Sequence, residues 1–115
     1  MTTANLSVIR GDDKYYIITL KDDDAVAIDI TGWTVYFTVK ADTDDTDENA
    51  KISKDVISHT DPTGGVTQIH LTHSDTALEI GNYYYDIQVK KSDGTIMTVM
   101  AGNFYVTQDI TTRTT

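Results

Sequence analysis

The chain has 115 residues, the size of one domain and enough to bury a core without crosslinks. It contains no cysteine, which excludes disulfides, thiolate metal sites and cysteine nucleophiles together and fits assembly in a reducing cytoplasm. Acidic residues outnumber basic ones 18 to 9, for a formal net charge of −9. Such a surface repels phosphate backbones and anionic lipid and argues against nucleic acid or membrane partners.

The first residues, Met1-Thr-Thr-Ala-Asn5, lack a basic region followed by an apolar run, so no secretory signal is expected. No apolar stretch approaches the ~20 residues that span a bilayer. Period-2 alternation recurs from end to end, and no helical periodicity competes with it. A short first strand is expected over Asn5–Arg10 and a second over Lys14–Lys21, with Tyr16, Ile18 and Leu20 on one face and Tyr15, Ile17 and Thr19 on the other. The Asp22-Asp-Asp24 run is a turn, because Asp bonds its own backbone. A brief extended piece at Ala27–Ile30 ends at Thr31-Gly32. The clearest strand runs from Trp33 to Lys40, with Trp33, Val35, Phe37 and Val39 inward and Tyr36 among the outward residues.

An acidic loop follows to Asn49, then a weaker edge strand over Ala50–Ser58 whose Lys54 discourages unwanted pairing. His59 to Gly65 is turn punctuation around the single proline. Val66–Thr72 is a strand with Thr67, Ile69 and Leu71 on one face. Ser74–Ile80 reads as a connector with one helical turn, capped by Ser74 or Asp75. Asn82–Lys91 sets Tyr83, Tyr85, Ile87 and Val89 against Tyr84, Asp86, Gln88 and Lys90. Ser92-Asp-Gly94 is a hairpin turn, and Thr95–Thr107 returns as the last strand with a bulge or bend expected at Gly102.

Seven or eight short antiparallel strands at regular spacing predict an all-β, immunoglobulin-like sandwich over residues 1–110, with a Thr-rich tail over 111–115. Trp33 opens the third main strand, where such domains often bury a Trp. Tyr83 stands where a corner tyrosine would bond back across the preceding turn, with Tyr85 pointing into the core. Trp33, Phe37, Tyr85 and Ile87 are expected to pack together between the sheets. A β-barrel is the other architecture compatible with the pattern.

Chemistry-bearing motifs are weak. Arg10-Gly-Asp12 spells an integrin-binding tripeptide, but Gly11-Asp12-Asp13 is also what a turn needs. The loop from Asp42 to Asn49 is dense in oxygen ligands, yet an EF-hand register from Asp45 puts Ala50 where Gly is required and Val56 where Glu is required. A solvated acidic loop is the reading. His70 and His73, three apart at a strand end, are expected on opposite faces, and all three histidines at the surface. With no phosphate loop or nucleophile elbow, the chain is read as non-enzymatic, with no catalytic residue, cofactor or metal.

The outward residues are more informative. Tyr36 and Tyr84 are expected on the solvent faces of neighbouring strands. Tyr15 and Ile17, like Met97 and Val99, make their strands apolar on both faces. Tyr15, Ile17, Tyr36 and Tyr84 are therefore the candidate interface residues, on a face covered by another subunit.

Several motifs together resemble one family. Arg10-Gly-Asp-Asp13, Ile28-Asp-Ile-Thr-Gly-Trp33, Val35-Tyr-Phe-Thr-Val-Lys40, Ile80-Gly-Asn-Tyr-Tyr-Tyr-Asp-Ile-Gln-Val89 and Gly102-Asn-Phe-Tyr-Val106 resemble the N-terminal domain of the baseplate upper protein of tailed phages of Gram-positive hosts. The resemblance implies an immunoglobulin-like fold and a non-enzymatic virion role. It further implies contacts with other virion proteins, many copies per particle or a homo-oligomer, and assembly in the host cytoplasm. Family members continue beyond this domain, whereas this sequence stops at Thr115, so a decoration, neck or tail accessory is expected rather than a baseplate subunit. A bacterial adhesion module and a carbohydrate-binding module stacking sugars on Tyr36 and Tyr84 are the alternatives on the same fold.

Overall fold

The computed structural model describes residues 2–22, 24–42 and 49–110. They form eight strands: β1 (Thr2–Thr3), β2 (Leu6–Ile9), β3 (Lys14–Thr19), β4 (Thr34–Lys40), β5 (Ile52–Val56), β6 (Val66–Leu71), β7 (Gly81–Lys90) and β8 (Ile96–Thr107). There is no α-helix among the described residues. Alternation sorts the side chains as the sequence predicts. Strand β4 buries Val35, Phe37 and Val39, β6 buries Thr67, Ile69 and Leu71, and β7 buries Tyr83, Tyr85, Ile87 and Val89.

Six strands form one sheet in the order β5-β4-β7-β8, with β1 and β2 both along the far edge of β8; β3 and β6 form a second, two-stranded sheet. The inner faces of the two sheets meet in one apolar core. Phe37 sits at its centre, with ring centroids 5.8 Å from Tyr85, 6.2 Å from Phe104 and 6.2 Å from Tyr16 on the opposite sheet. The expected antiparallel sheet is instead mixed. Strands β1 and β2 pair with β8 in parallel, from Thr2↔Met100 to Ile9↔Thr107. Strands β4 and β8 are both antiparallel to β7, so β2 runs the same way as both.

Trp33 is not the core centre. It precedes β4, is only half-buried, and packs at the rim with the Lys91 ammonium 5.5 Å from its ring centroid. The sequence reading extended β4 by one residue too many. The Trp33 N–H instead closes a turn onto the Ile30 carbonyl at 3.0 Å, and Ile30 is the side chain that becomes fully buried. Asp29 shapes this turn, its carboxylate accepting from the Thr31 N–H and hydroxyl at 2.9 and 2.6 Å. These bonds hold its pKa below the usual carboxylate value.

The Asp-rich turns behave as their chemistry predicts. Asp22 accepts from the Asp24 and Val26 N–H groups, and Asp93 from the Thr95 N–H. The one helical turn expected within Ser74–Ile80 occurs slightly earlier, closed by a single α-type bond from the Thr76 N–H to the Thr72 carbonyl at 3.1 Å and not continued into a helix. Thr72, rather than Ser74, organises it in a reciprocal pair: Asp75 accepts from the Thr72 N–H at 2.8 Å, and the Asp75 N–H donates to the Thr72 hydroxyl at 3.2 Å.

Gly102 is in register with Tyr85, and the irregularity lies earlier. Ile87 pairs with Met100 and Gln88 with Thr98, leaving Val99 bulged. Gly102 is needed for another reason: a Cβ there would overlap the Ala4 carbonyl oxygen where the N-terminal segment crosses.

Three inward tyrosines reach backbone carbonyls. Tyr83 donates to Glu79 at 2.6 Å, the bond across the preceding turn that its position predicts. Tyr85 donates to Ala4 at 2.6 Å and Tyr16 to Ser7 at 3.2 Å. Burial, with Tyr85 nearby, pushes the Tyr16 hydroxyl up to about 12.

Candidate interaction surfaces

The four candidate interface residues do not share a face. Tyr36 and Tyr84 point outward from the six-stranded sheet, because their neighbours Val35, Phe37, Tyr83 and Tyr85 point into the core. Tyr15 and Ile17 point outward from the two-stranded sheet, because Tyr16 and Ile18 face the core. The sequence could not separate them, since alternation tells inside from outside but not which sheet a strand joins. The single covered face becomes two surfaces on opposite sides.

The first surface is a shallow groove of about 690 Å³ across the outer face of the large sheet. Tyr36, Thr38 and Lys40 from β4, Tyr84, Asp86 and Gln88 from β7, and Ser53 and Asp55 from β5 all line it. Tyr36 is opposite Gln88, Thr38 opposite Asp86, and Lys40 opposite Tyr84. The tyrosines therefore sit at two ends, about 14 Å apart along the strands at ~3.4 Å per residue, with hydroxyl, carboxylate and amide groups between. The outward positions of β4 and β7 were legible as a stripe; the contribution of β5 was not.

The second surface combines the outer face and free edge of β3. Tyr15 is 55% and Ile17 72% exposed. Tyr15 stacks flat on His70 across the strand pair, centroids 4.2 Å apart. Beside β3, Ile17, Ile18, Leu20, Val99 and Met100 line a slot of about 280 Å³. It exists because the two-stranded sheet is too narrow to cover the inner face of the six-stranded one.

The histidines depart from expectation. His70 and His73 do not diverge, because the chain leaves extended geometry after Leu71 and turns back. Asp13 Oδ1 accepts from the His73 backbone N–H at 2.7 Å and lies 3.3 Å from His73 Nδ1 and 4.0 Å from His70 Nε2. His70 and His73 are exposed, as expected, but His59 is partly buried. Its ring bridges the Thr67 hydroxyl at 2.9 Å and the Trp33 carbonyl at 2.8 Å. Since a carbonyl only accepts, Nε2 carries the proton and Nδ1 receives the Thr67 hydroxyl. This satisfies the buried Thr67 and ties the rim Trp to β6. No group of three or more His, Cys, Asp or Glu is placed to hold a metal ion among the described residues.

Arg10-Gly-Asp12 is a turn. Gly11 has φ 83°, the Asp12 N–H bonds the Ile9 carbonyl at 3.1 Å, and the Arg10 guanidinium pairs with Asp109 at 2.7 Å. Most of the acidic loop, residues 43–48, and the tail at 111–115 lie outside the described residues. The chain matches no protein-family model, and a search of curated proteins finds no match.

Proposed function

We propose that this chain is an immunoglobulin-like, non-enzymatic structural protein of a bacteriophage particle, present in many copies and working through contacts with other virion proteins. The strand arrangement supports the fold assignment. In the immunoglobulin order, β3 and β6 stand as strands B and E of one sheet, and β4, β7 and β8 as C, F and G of the other, with β5 beyond C. The Tyr83 bond to Glu79 supplies the corner tyrosine of that fold.

The observation that carries the functional reading is that the motifs of the phage-domain resemblance fall on frame-setting positions. Ile28 to Trp33 is the Asp29-capped turn that plants Ile30. Tyr83 is the corner, and Gly102 admits the N-terminal crossing. A family tied together by such positions would share this scaffold while its surfaces vary. Mass spectrometry and immunogold microscopy of particles purified from the source test the proposal. The expected result is the chain bound to particles in multiple copies. Its absence from particles, with the free protein present in the same lysate, discards the reading.

A carbohydrate-binding role is the second reading, favoured by the groove between Tyr36 and Tyr84. Paired aromatic platforms with carboxylate, amide and hydroxyl groups between them suit the apolar faces and hydroxyl edges of a sugar chain. A glycan array with wild type and Tyr36→Ala separates it from the first. Binding lost in the variant would establish it, and a blank array removes it.

A further inference from the structure

The bare edge of β3 is organised to receive an identical strand. The Leu20 N–H donates to the Gly65 carbonyl at 2.8 Å. In the β3–β6 register, antiparallel alternation then puts the bonded pairs at Leu20, Ile18, Tyr16 and Lys14. The backbone N–H and C=O groups of Tyr15, Ile17 and Thr19 therefore point away from β6, and β3 has no partner on that side among the described residues. Natural edges are usually blunted by proline, a bulge or inward charge. Strand β3, Lys-Tyr-Tyr-Ile-Ile-Thr, has none of these beyond its first residue.

We propose that a second copy of this chain docks here, β3 against β3, about a two-fold axis through Ile17. That register sets Ile17 against its own counterpart and Tyr15 against Thr19, and all three outward-facing residues then exchange both backbone bonds. It preserves the faces, so Tyr15 of one copy packs diagonally on Ile17 of the other, on a continuous four-stranded sheet. It also sets Asp13 against Lys21, twice by symmetry. Both are exposed, and continuing the alternation of β3 by one and two residues puts both on the side of Ile17. Residues 14–20 carry no carboxylate in a chain of net charge −9, so this is a place where like-charged copies can approach. The incoming strand lies along the slot beside Val99 and Met100, the apolar surface left bare by the narrow sheet. A symmetric contact requires only one such patch.

This contact deepens the assembly reading and rests on it. Sedimentation and light scattering over a range of concentrations test it. The wild type should move from 12.7 kDa towards twice that mass as concentration rises. Ile17→Lys, at an exposed position, should keep the circular dichroism spectrum and stay monomeric. Asp13→Lys and Lys21→Asp should each weaken the dimer by opposing like charges, and the two variants mixed should restore it. A wild type that is monomeric throughout, or an Ile17→Lys variant that still dimerises, overturns the proposal. A monomer that nevertheless enters particles discards the β3 contact and keeps the assembly role. A β3-dependent dimer absent from any particle does the reverse.

Discussion

The two halves of β8 have opposite fates. The second half, Gly102–Thr107, is flanked by β7 on one side and β2 on the other, and Phe104 and Val106 are buried. The first half, Ile96–Val99, has only β7 beside it among the described residues, and Met97, opposite the buried Val89, remains 42% exposed. By composition the first half, Ile-Met-Thr-Val, is the more apolar. Burial is thus set by what lies across and beside a strand rather than by the strand's own hydrophobicity. Two features leave the first half bare: β1 begins only at Met100, and the small sheet leans towards β5. The Lys54–Asp75 ion pair, 2.7 Å, fastens that lean by joining β5 to the turn after β6.

The largest expected effect is at the closed half. Phe104→Ala should cost about 3–5 kcal/mol in urea melts, as for other buried aromatics. A loss under ~1 kcal/mol would break the contrast between the halves. Trp33→Ala, at the rim, should cost less, about 1–2 kcal/mol for a half-buried aromatic, and a cost equal to that of Phe104→Ala would return Trp33 to the core. Tyr83, opposite Phe104, should lose about 0.5–1.5 kcal/mol on change to Phe. Tyr84, which lines the groove and is exposed, should lose almost nothing on the same change.

The lean itself has a pH signature. Desolvation pushes the Asp75 carboxyl up, but bonds from Lys54 and Thr72 and the Lys54 charge outweigh it and hold the pKa below the usual value. A depressed folded pKa contributes stability that is present above the unfolded value, about 3.9, and is lost as pH falls through the folded one. Asp75→Asn should therefore flatten the acid limb of a stability–pH curve, and an unchanged limb would remove the pair from the account. The smallest effect belongs to the bare half: Ile96→Ser should stay within about 0.5 kcal/mol, and a larger loss would mean that this half is covered in the monomer.

Alternation made the inner faces of β4, β6 and β7 legible, because Thr34, Thr38 and Lys40, Gln68 and His70, and Asp86, Gln88 and Lys90 set the period, and that phase carries through the ambiguous Tyr36 and Tyr84. It failed at Trp33, where a strong hydrophobe next to Gly32 joined the strand on paper but belongs to a turn held by Asp29. It also failed at His70 and His73, because a strand's period says nothing once the chain turns at Thr72. The four interface residues were correctly read as outward-facing. Assigning them to one surface required knowing that β3 pairs with β6 and β4 with β7, and such non-local pairing leaves no trace in a local pattern. The free edge of β3 was invisible for the same reason, since it depends on β1 and β2 choosing β8.

That choice governs how the molecule folds. The closed half of β8 obtains its second neighbour from Leu6–Ile9, nearly the whole chain away, and the Tyr85 hydroxyl ties the same N-terminal segment at Ala4. Pairing between such distant segments carries a large loop-closure cost and places the domain among the slow β folders, on the order of milliseconds to seconds. On the ribosome the first strands must wait for the last one, at about 5–20 residues per second. Until Phe104 emerges, β2 has no partner strand and the edge of β7 that receives the second half of β8 is bare. Nascent copies held close on one message would be most prone to pair wrongly during that interval.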